Sequence, residues 1–286
     1  MTNYGPTTEA KLSEIAETCE RAARNSIVAL AGVPGTGKSM MALIAAQRFA
    51  SQPEMVRAIQ FHPSYSYEEF IEGMRIADNG SVKPEPGILL DWNQKALDDE
   101  GNRYVLLIDE LTRANVSAVL GELMTYVEYR DRTFTTVYSR RPVNIAENLL
   151  ILTTYNPTDR SAVEVDAALI RRLRIIQCPP SEGQLRDMLA EKVNREVITA
   201  LQGLFGAARE RFPDEFDTFM PFGHGIFSGV STEFPDLHRL WIERLQYFLR
   251  RPLAEPHKFA DVIEQNYPWR DPAFRLPSTV TPPTTT

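Results

Sequence analysis

The sequence predicts an α/β fold, a parallel sheet sandwiched by helices and followed by a small α-helical domain. Three observations predict it. Short apolar runs alternate with helical patterns as far as Pro179-Pro180. The runs are apolar on both faces, as strands of a parallel sheet covered on both sides must be. Beyond Ser181 the patterns are mostly helical and no convincing buried strand follows. A chain of 286 residues, 43% of them hydrophobic, can bury one sizeable core and a smaller satellite.

Each element has its own signal. Leu12, Ile15, Ala16, Cys19 and Ala23 recur at helical spacing between Thr8 and Arg24. Ser26–Ala31 is a short apolar strand, and the glycine-rich Gly32–Ser39 follows at once. Met40–Ala50, rich in Ala, Leu and Met, reads as a helix. Glu54–Phe61 is the second strand, His62–Tyr67 a polar aromatic loop, and Glu68–Met74 a short helix. Asp78–Pro86 carries Gly and Pro and reads as a loop or hairpin, before a helix over Gly87–Leu97. Tyr104–Ile108 is a continuous apolar strand ending in Asp109-Glu110. Val116, Val119, Leu120, Leu123 and Val127 share one face of a helix spanning Asn115 to Tyr129. Thr133–Ile145 alternates like a hairpin, Leu149–Thr153 is another buried strand, and Arg174–Cys178 the last. The resulting division is an N-terminal helix over 1–25, a core over 26–180, a helical domain over 181–270 and a disordered tail over 271–286. The Gly-, Ser- and Phe-rich segment Gly223–Glu233 reads as a loop inside the helical domain.

The residues with chemistry cluster at strand ends. Gly32-Val33-Pro34-Gly35-Thr36-Gly37-Lys38-Ser39 fits the pattern G-x-x-x-x-G-K-[ST] between a strand and a helix. Its glycines let backbone N–H groups curl round phosphate oxygens, and the N-terminus of the next helix adds partial positive charge. Lys38 supplies a point charge to the β- and γ-phosphates, and Ser39 a hydroxyl for Mg²⁺. Met40 follows in the same nucleotide-binding stretch. An ordinary glycine turn before a helix is the bland alternative, and the strand–loop–helix order argues against it. Asp109-Glu110 close the most apolar strand at the edge where parallel sheets bind ligands. There Asp109 suits a metal-bound water, and Glu110 suits activation of an attacking water. Asn156 ends up after the strand Leu149–Thr153, where an amide could bond both γ-phosphate and water; Asn-Pro is equally a turn former. Arg171 and Arg172 close a helical stretch and suit either a surface helix end or charge stabilisation from a neighbouring subunit.

In this order the motifs resemble the AAA+ superfamily of ring-forming nucleoside triphosphatases, over roughly Ser26 to Tyr267. A narrower resemblance is to the NTPase subunit of methylation-dependent restriction systems, the McrB branch. It rests on Phe61-His-Pro-Ser-Tyr-Ser-Tyr-Glu-Glu-Phe-Ile-Glu-Gly73, on Ile108-Asp-Glu-Leu-Thr-Arg-Ala-Asn115 and on Asn156-Pro-Thr-Asp-Arg-Ser161, continued by Val165-Asp166 and Arg171-Arg172. The resemblance implies that Asn156 positions water and that Asp159 lies near the nucleotide or the subunit interface. It implies that Arg160, Arg171 and Arg172 are candidates to act in trans, in a homo-oligomeric, hexameric ring. It further implies ATP or GTP with Mg²⁺ as cofactors, and a separate effector protein such as a nuclease. Pro157-Thr158 stand where the branch, which includes enzymes specific for GTP, has Thr-Ala; the departure weakens the case for GTP, and ATP is expected, as in most AAA+ proteins. Only a short helix is expected ahead of the core, so no fused reader of modified DNA and no nuclease signature is expected either. A chaperone of the MoxR group, remodelling a partner protein, and a nucleotide-gated scaffold with little turnover are the alternatives.

Composition narrows the classes. The formal net charge of −7 excludes a broad basic surface for nucleic acid, so DNA would be met only through the assembly. Cys19 and Cys178 lack partners at metal-ligand spacing and read as reduced thiols. No apolar run approaches the ~20 residues that span a bilayer, and Met1–Ala10 lacks a signal pattern, so a cytoplasmic protein with no membrane partner is expected. The aromatic loop Phe61–Tyr67 could stack on bases or line a pore. The absence of flanking basic residues favours packing.

Overall fold

The computed structural model describes residues 4–22, 25–78, 80–158, 167–231, 237–250 and 257–274. The chain forms two compact units. One comprises residues 9–32 and 37–178; the other comprises residues 1–8, 33–36 and 179–286.

The first unit is built on a five-stranded parallel sheet. Its strands are β1 (Ile27–Ala31), β2 (Val56–Gln60), β5 (Tyr104–Asp109), β8 (Leu149–Tyr155) and β9 (Leu173–Gln177), in the order β2-β5-β8-β1-β9. Every residue of β1 and of β8 is buried. Burial of whole strands explains why they read as unbroken apolar runs rather than alternating ones. Register sets the functional edge. Gln60 pairs with Asp109, and Ala31 pairs with both Tyr155 and Gln177. The carboxyl ends of the strands therefore finish along one line, and the glycine loop leaves β1 at the point where the strand order reverses. That crevice is where open α/β sheets take ligands.

Helices α1 (Pro6–Ala22), α2 (Lys38–Phe49) and α4 (Ile88–Asp98) lie close to the boundaries expected from periodicity. The Asn148 amide donates to the carbonyls of Ala96, Asp99 and Asn102, tying the end of α4 to the start of β8. Two helices depart from expectation. The one expected over Glu68–Met74 is only α3 (Tyr67–Phe70), followed by an antiparallel hairpin of β3 (Glu72–Ile76) and β4 (Val82–Pro86). Ser66 and Glu69 make a capping box at its start. It stops because Glu72 turns inward: its buried carboxylate accepts the N–H groups of Tyr138 and Ser139 at 2.6 and 2.9 Å. The long helix expected over Asn115–Tyr129 is split into α5 (Val116–Leu120) and α6 (Leu123–Tyr126). Gly121 breaks it at φ 47°, and a Cβ there would stand 2.8 Å from the Tyr67 ring. The hairpin expected over Thr133–Ile145 is the pair β6 (Phe134–Thr135) and β7 (Pro142–Val143), and α7 (Ala167–Arg172) leads into β9. The aromatic loop packs: Phe61 is 1% exposed, stacked on Tyr65 at 4.6 Å between centroids and edge-on to Phe70 at 5.5 Å.

The second unit is helical among its described residues. It contains α8 (Glu182–Leu189), α9 (Arg195–Arg211), α10 (Phe216–Phe219), α11 (Leu237–Leu240), α12 (Gln246–Leu249) and α13 (Ala260–Asn266), with a π-helical turn at Trp241–Leu245. Ser181 and Asn194 cap α8 and α9 by accepting the N–H groups of Gln184 and Val197. Its own core gathers Leu201, Leu204, Phe205, Phe216, Phe222, Phe227, Phe259 and Tyr267. The segment expected as a loop contains a 3-10 turn, His224–Phe227. The expected tail lies outside the described residues from position 275 onward. No helix among the described residues is long and apolar enough to cross a membrane.

Candidate functional site

Gly32 follows β1 and donates its N–H to the Tyr155 carbonyl at 3.4 Å. Val33 and Thr36 are buried, Pro34 and Gly35 exposed, and the Thr36 hydroxyl donates to the Val33 carbonyl at 3.1 Å. Gly35 and Gly37 have φ of +77° and +79°. This is the left-handed region that strains any residue with a Cβ, so the motif's glycines occupy positions that need them. Gly37 is followed at once by the first residue of α2, Lys38, and then by Ser39, which is exposed, as is Met40.

Lys38, Ser39, Asp109 and Glu110 come together at the carboxyl edge of the sheet. The Ser39 hydroxyl donates to Asp109 Oδ1 at 2.8 Å, although seventy residues separate them. Lys38 is 9% exposed. Burial lowers its pKa from the ordinary lysine value, opposed by the charges of Glu110, then Cys178, then Asp109. Glu110 adopts the left-handed conformation at φ 58° and pairs with Arg113 at 3.4 Å. A non-glycine residue held in that region carries a local cost, a feature that concentrates at functional sites. An open cavity of ≈ 340 Å³ lies alongside, lined by Ser39, Leu43, Ala58, Ile59, Gln60, Leu107 and Asp109.

Thr154 organises this edge and escaped the sequence reading. Its hydroxyl accepts the Glu110 N–H at 3.2 Å and bonds to Asp109 Oδ1. Thr153, beside it, donates to the Ile108 carbonyl at 2.7 Å. The signal was present: two hydroxyls inside a fully buried strand must find partners. Asn156 lies just past β8, half-buried, with its Oδ1 accepting from the N–H and the hydroxyl of Thr158 at 3.1 and 2.9 Å. That is the local turn which Asn-Pro predicts, and it leaves Nδ2 as the end of the amide able to donate.

The two arginines differ. Arg172 is 7% exposed, donates to the Ala168 carbonyl at 2.6 Å and pairs with Glu128 at 3.4 Å. Arg171 is exposed and reaches the same carboxylate at 3.3 Å. Glu128, another residue that no local motif marks, thus holds both. Asp159, Arg160, Val165 and Asp166 lie outside the described residues.

The donor set fits a metal–triphosphate. A hydroxyl and a carboxylate converge at the foot of a phosphate-type loop, and Mg²⁺ is commonly held by one or two carboxylates with the remaining positions filled by phosphates and water. No cluster of three His, Cys, Asp or Glu among the described residues forms an all-protein cage.

The chain is similar to several known proteins. The subunit EcoKMcrB of a type IV methyl-directed restriction enzyme, from Escherichia coli K12, is 36% identical over 254 residues, 83% of this chain and 55% of that protein. YdiS, a component of the type II restriction enzyme BsuMI from Bacillus subtilis 168, is 24% identical over 192 residues, 52% of this chain and 55% of that protein. The chain spans about half the length of these curated relatives. A solved structure from Cytophaga hutchinsonii aligns over 73% of this chain and 69% of its own, at TM-score 0.41 and 15% identity. The family model described as the AAA domain, dynein-related subfamily, matches residues 27–173, from the first residue of β1 to the first residue of β9. With the phosphate-type loop, the carboxylate pair and four of the five strands of the parallel sheet inside that span, the chain belongs to the dynein-related subfamily of AAA domains.

Proposed function

We propose that this chain hydrolyses the β–γ bond of ATP, or of GTP, with Mg²⁺, and works as the NTPase component of a multi-subunit restriction or anti-phage defence system. The observation that carries the reading is the convergence of Ser39 and Asp109 beside a buried Lys38. The bound Mg²⁺ would neutralise phosphate charge. Ser39 and Asp109 would hold it. Lys38 offers its ammonium to the β- and γ-phosphates. Glu110 takes the proton of the attacking water at its carboxylate, and Asn156 donates from Nδ2 to keep that water aligned. Gly32 to Met40 form the nucleotide-binding stretch, with residues 26–180 as the NTPase core and 181–270 as a lid.

The relatives support the pathway: their names describe restriction components, and one is called a subunit. Copies of this cytoplasmic chain form a ring, a hexamer, in which an arginine of one copy reaches the site of the next. Arg171 is the better placed of the pair, because it is exposed while Arg172 is spent on packing. Asp159 and Arg160 act near the same interface. A separate effector protein acts on DNA. Pro157 in the altered signature favours ATP.

Phosphate release with ATP and with GTP, measured across protein concentration with Mg²⁺ and after chelation, tests the reading. Mg²⁺-dependent turnover per chain that rises steeply with concentration is expected. Turnover independent of concentration contradicts the shared site, and turnover of neither nucleotide, even in the assembled ring, contradicts hydrolysis.

A further inference from the structure

The phosphate-type loop has a second set of partners. Residues 33–36 fall in the same compact unit as residues 179–286. Within that unit the N–H of Gly223 donates to the Pro34 carbonyl at 2.7 Å, and the N–H of Gly225 to the Gly35 carbonyl at 2.6 Å. Two consecutive peptide groups of the loop are thus held by alternate residues of one turn. The fit requires glycine. A Cβ on Gly223 would stand 2.5 Å from the Gly35 oxygen, and one on Gly225 would stand 2.8 Å from the same atom.

The turn is itself fixed. His224, between the two glycines, is 6% exposed, and its Nδ1 accepts the Ser181 N–H at 3.2 Å. Burial pushes its pKa down to about 4, so the ring is neutral at ordinary pH, and Nδ1 stays available as an acceptor. Phe222 and Phe227 flank the turn, buried and edge-on at 6.3 Å between centroids. Ser181 in turn caps α8.

In a trans peptide the C=O and the N–H point in opposite directions. Holding the Pro34 carbonyl therefore aims the Gly35 N–H away from the turn, and holding the Gly35 carbonyl aims the Thr36 N–H likewise. We propose that the Gly223-His224-Gly225 turn is a positioning element for nucleotide binding: it fixes two peptide planes of the phosphate-type loop so that the N–H groups of Gly35 and Thr36 are preset towards the phosphates. The inference rests on the triphosphate reading above. It differs in placing a determinant of phosphate affinity nearly two hundred residues from the loop, in a segment that carries no recognised motif. Because coupling is reciprocal, nucleotide must also tighten the turn.

Two measurements test this. ADP and GDP are titrated calorimetrically with Mg²⁺ into wild type, Gly225→Ala, Lys38→Ala and Gly203→Ala, the last an α9 position where a Cβ meets nothing within 4 Å. Gly225→Ala is expected to weaken the better ligand at least tenfold, with Gly203→Ala within twofold of wild type. On the wild type, amide exchange at residues 222–227 is expected to slow at least severalfold when nucleotide saturates. A folded Gly225→Ala that binds like wild type overturns the proposal. So does exchange in the turn that nucleotide leaves unchanged, and this second readout decides alone if the variant does not fold. Failure of wild type to bind either nucleotide removes the triphosphate reading and the proposal together. Loss in Lys38→Ala with retention in Gly225→Ala removes only the proposal.

Discussion

The hydroxyl of Thr154 accepts the backbone N–H of Glu110 at 3.2 Å, from a strand 44 residues further along the chain. The same oxygen meets the Asp109 carboxylate, so one side chain holds an acidic group of the site and the backbone of the next residue. Thr154→Val keeps the shape and removes the hydroxyl. Turnover should fall roughly 10- to 100-fold, the scale on which small misplacements of reacting groups act. KM should change little, and Thr154→Ser should restore most of kcat. A Val variant with wild-type kcat would show that the bond only closes the sheet.

Arg171 and Arg172 should separate by experiment. Arg172 is buried, bonded to the Ala168 carbonyl and paired with Glu128, so Arg172→Ala empties a packed site and leaves Glu128 to the exposed Arg171 alone, which should cost about 2 kcal/mol of stability. The pair made by Arg171 is exposed, and its loss should cost less than ~1 kcal/mol. Turnover of the assembled protein should nevertheless drop about 10³-fold in Arg171→Ala, as loss of an arginine acting in trans does. Mixing Arg171→Ala with Glu110→Gln should recover activity, because a mixed interface joins an intact arginine to an intact carboxylate. Denaturant unfolding and phosphate release read the two effects.

His224 should make stability fall in mild acid. Its folded pKa of about 4 lies below the ordinary 6.5, so the folded state binds its proton less readily than the unfolded chain. Above pH 6.5 both states are neutral and the contribution is complete. As pH falls from 6.5 towards 4 the unfolded chain gains a proton first, and up to roughly 3 kcal/mol is lost. Unfolding free energies from pH 7.5 to 4 should show a steeper fall for wild type than for His224→Gln. Parallel curves would place the acid sensitivity elsewhere.

The centre of the sheet was legible because β1 and β8 are buried throughout and β5 is buried up to Asp109. Tyr104–Ile108 was expected and Tyr104–Asp109 is found; nothing polar interrupts the run before the site begins. The loop and the carboxylate pair were legible because their chemistry is local in sequence. What escaped depends on contacts across the fold. Gly121 splits a helix whose apolar face looked continuous, because Tyr67 fills the space a side chain would need. Met74 lies in a strand rather than at the end of a helix, because Glu72 is committed to the backbone of Tyr138 and Ser139. Thr154, Glu128 and the Gly223–Gly225 turn bear on the site only through partners dozens of residues away, a distance that no periodicity or motif spans.

The most direct test of the account replaces Glu110 by Gln and measures nucleotide affinity and phosphate release on the same preparation, beside Lys38→Ala. Glu110→Gln should bind the nucleotide as wild type does while losing turnover about 10²- to 10⁴-fold, the span attributed to a positioned base, and Lys38→Ala should lose binding. Undiminished phosphate release by Glu110→Gln, or tight binding by Lys38→Ala, would contradict the assignment of this edge of the sheet as the hydrolytic site.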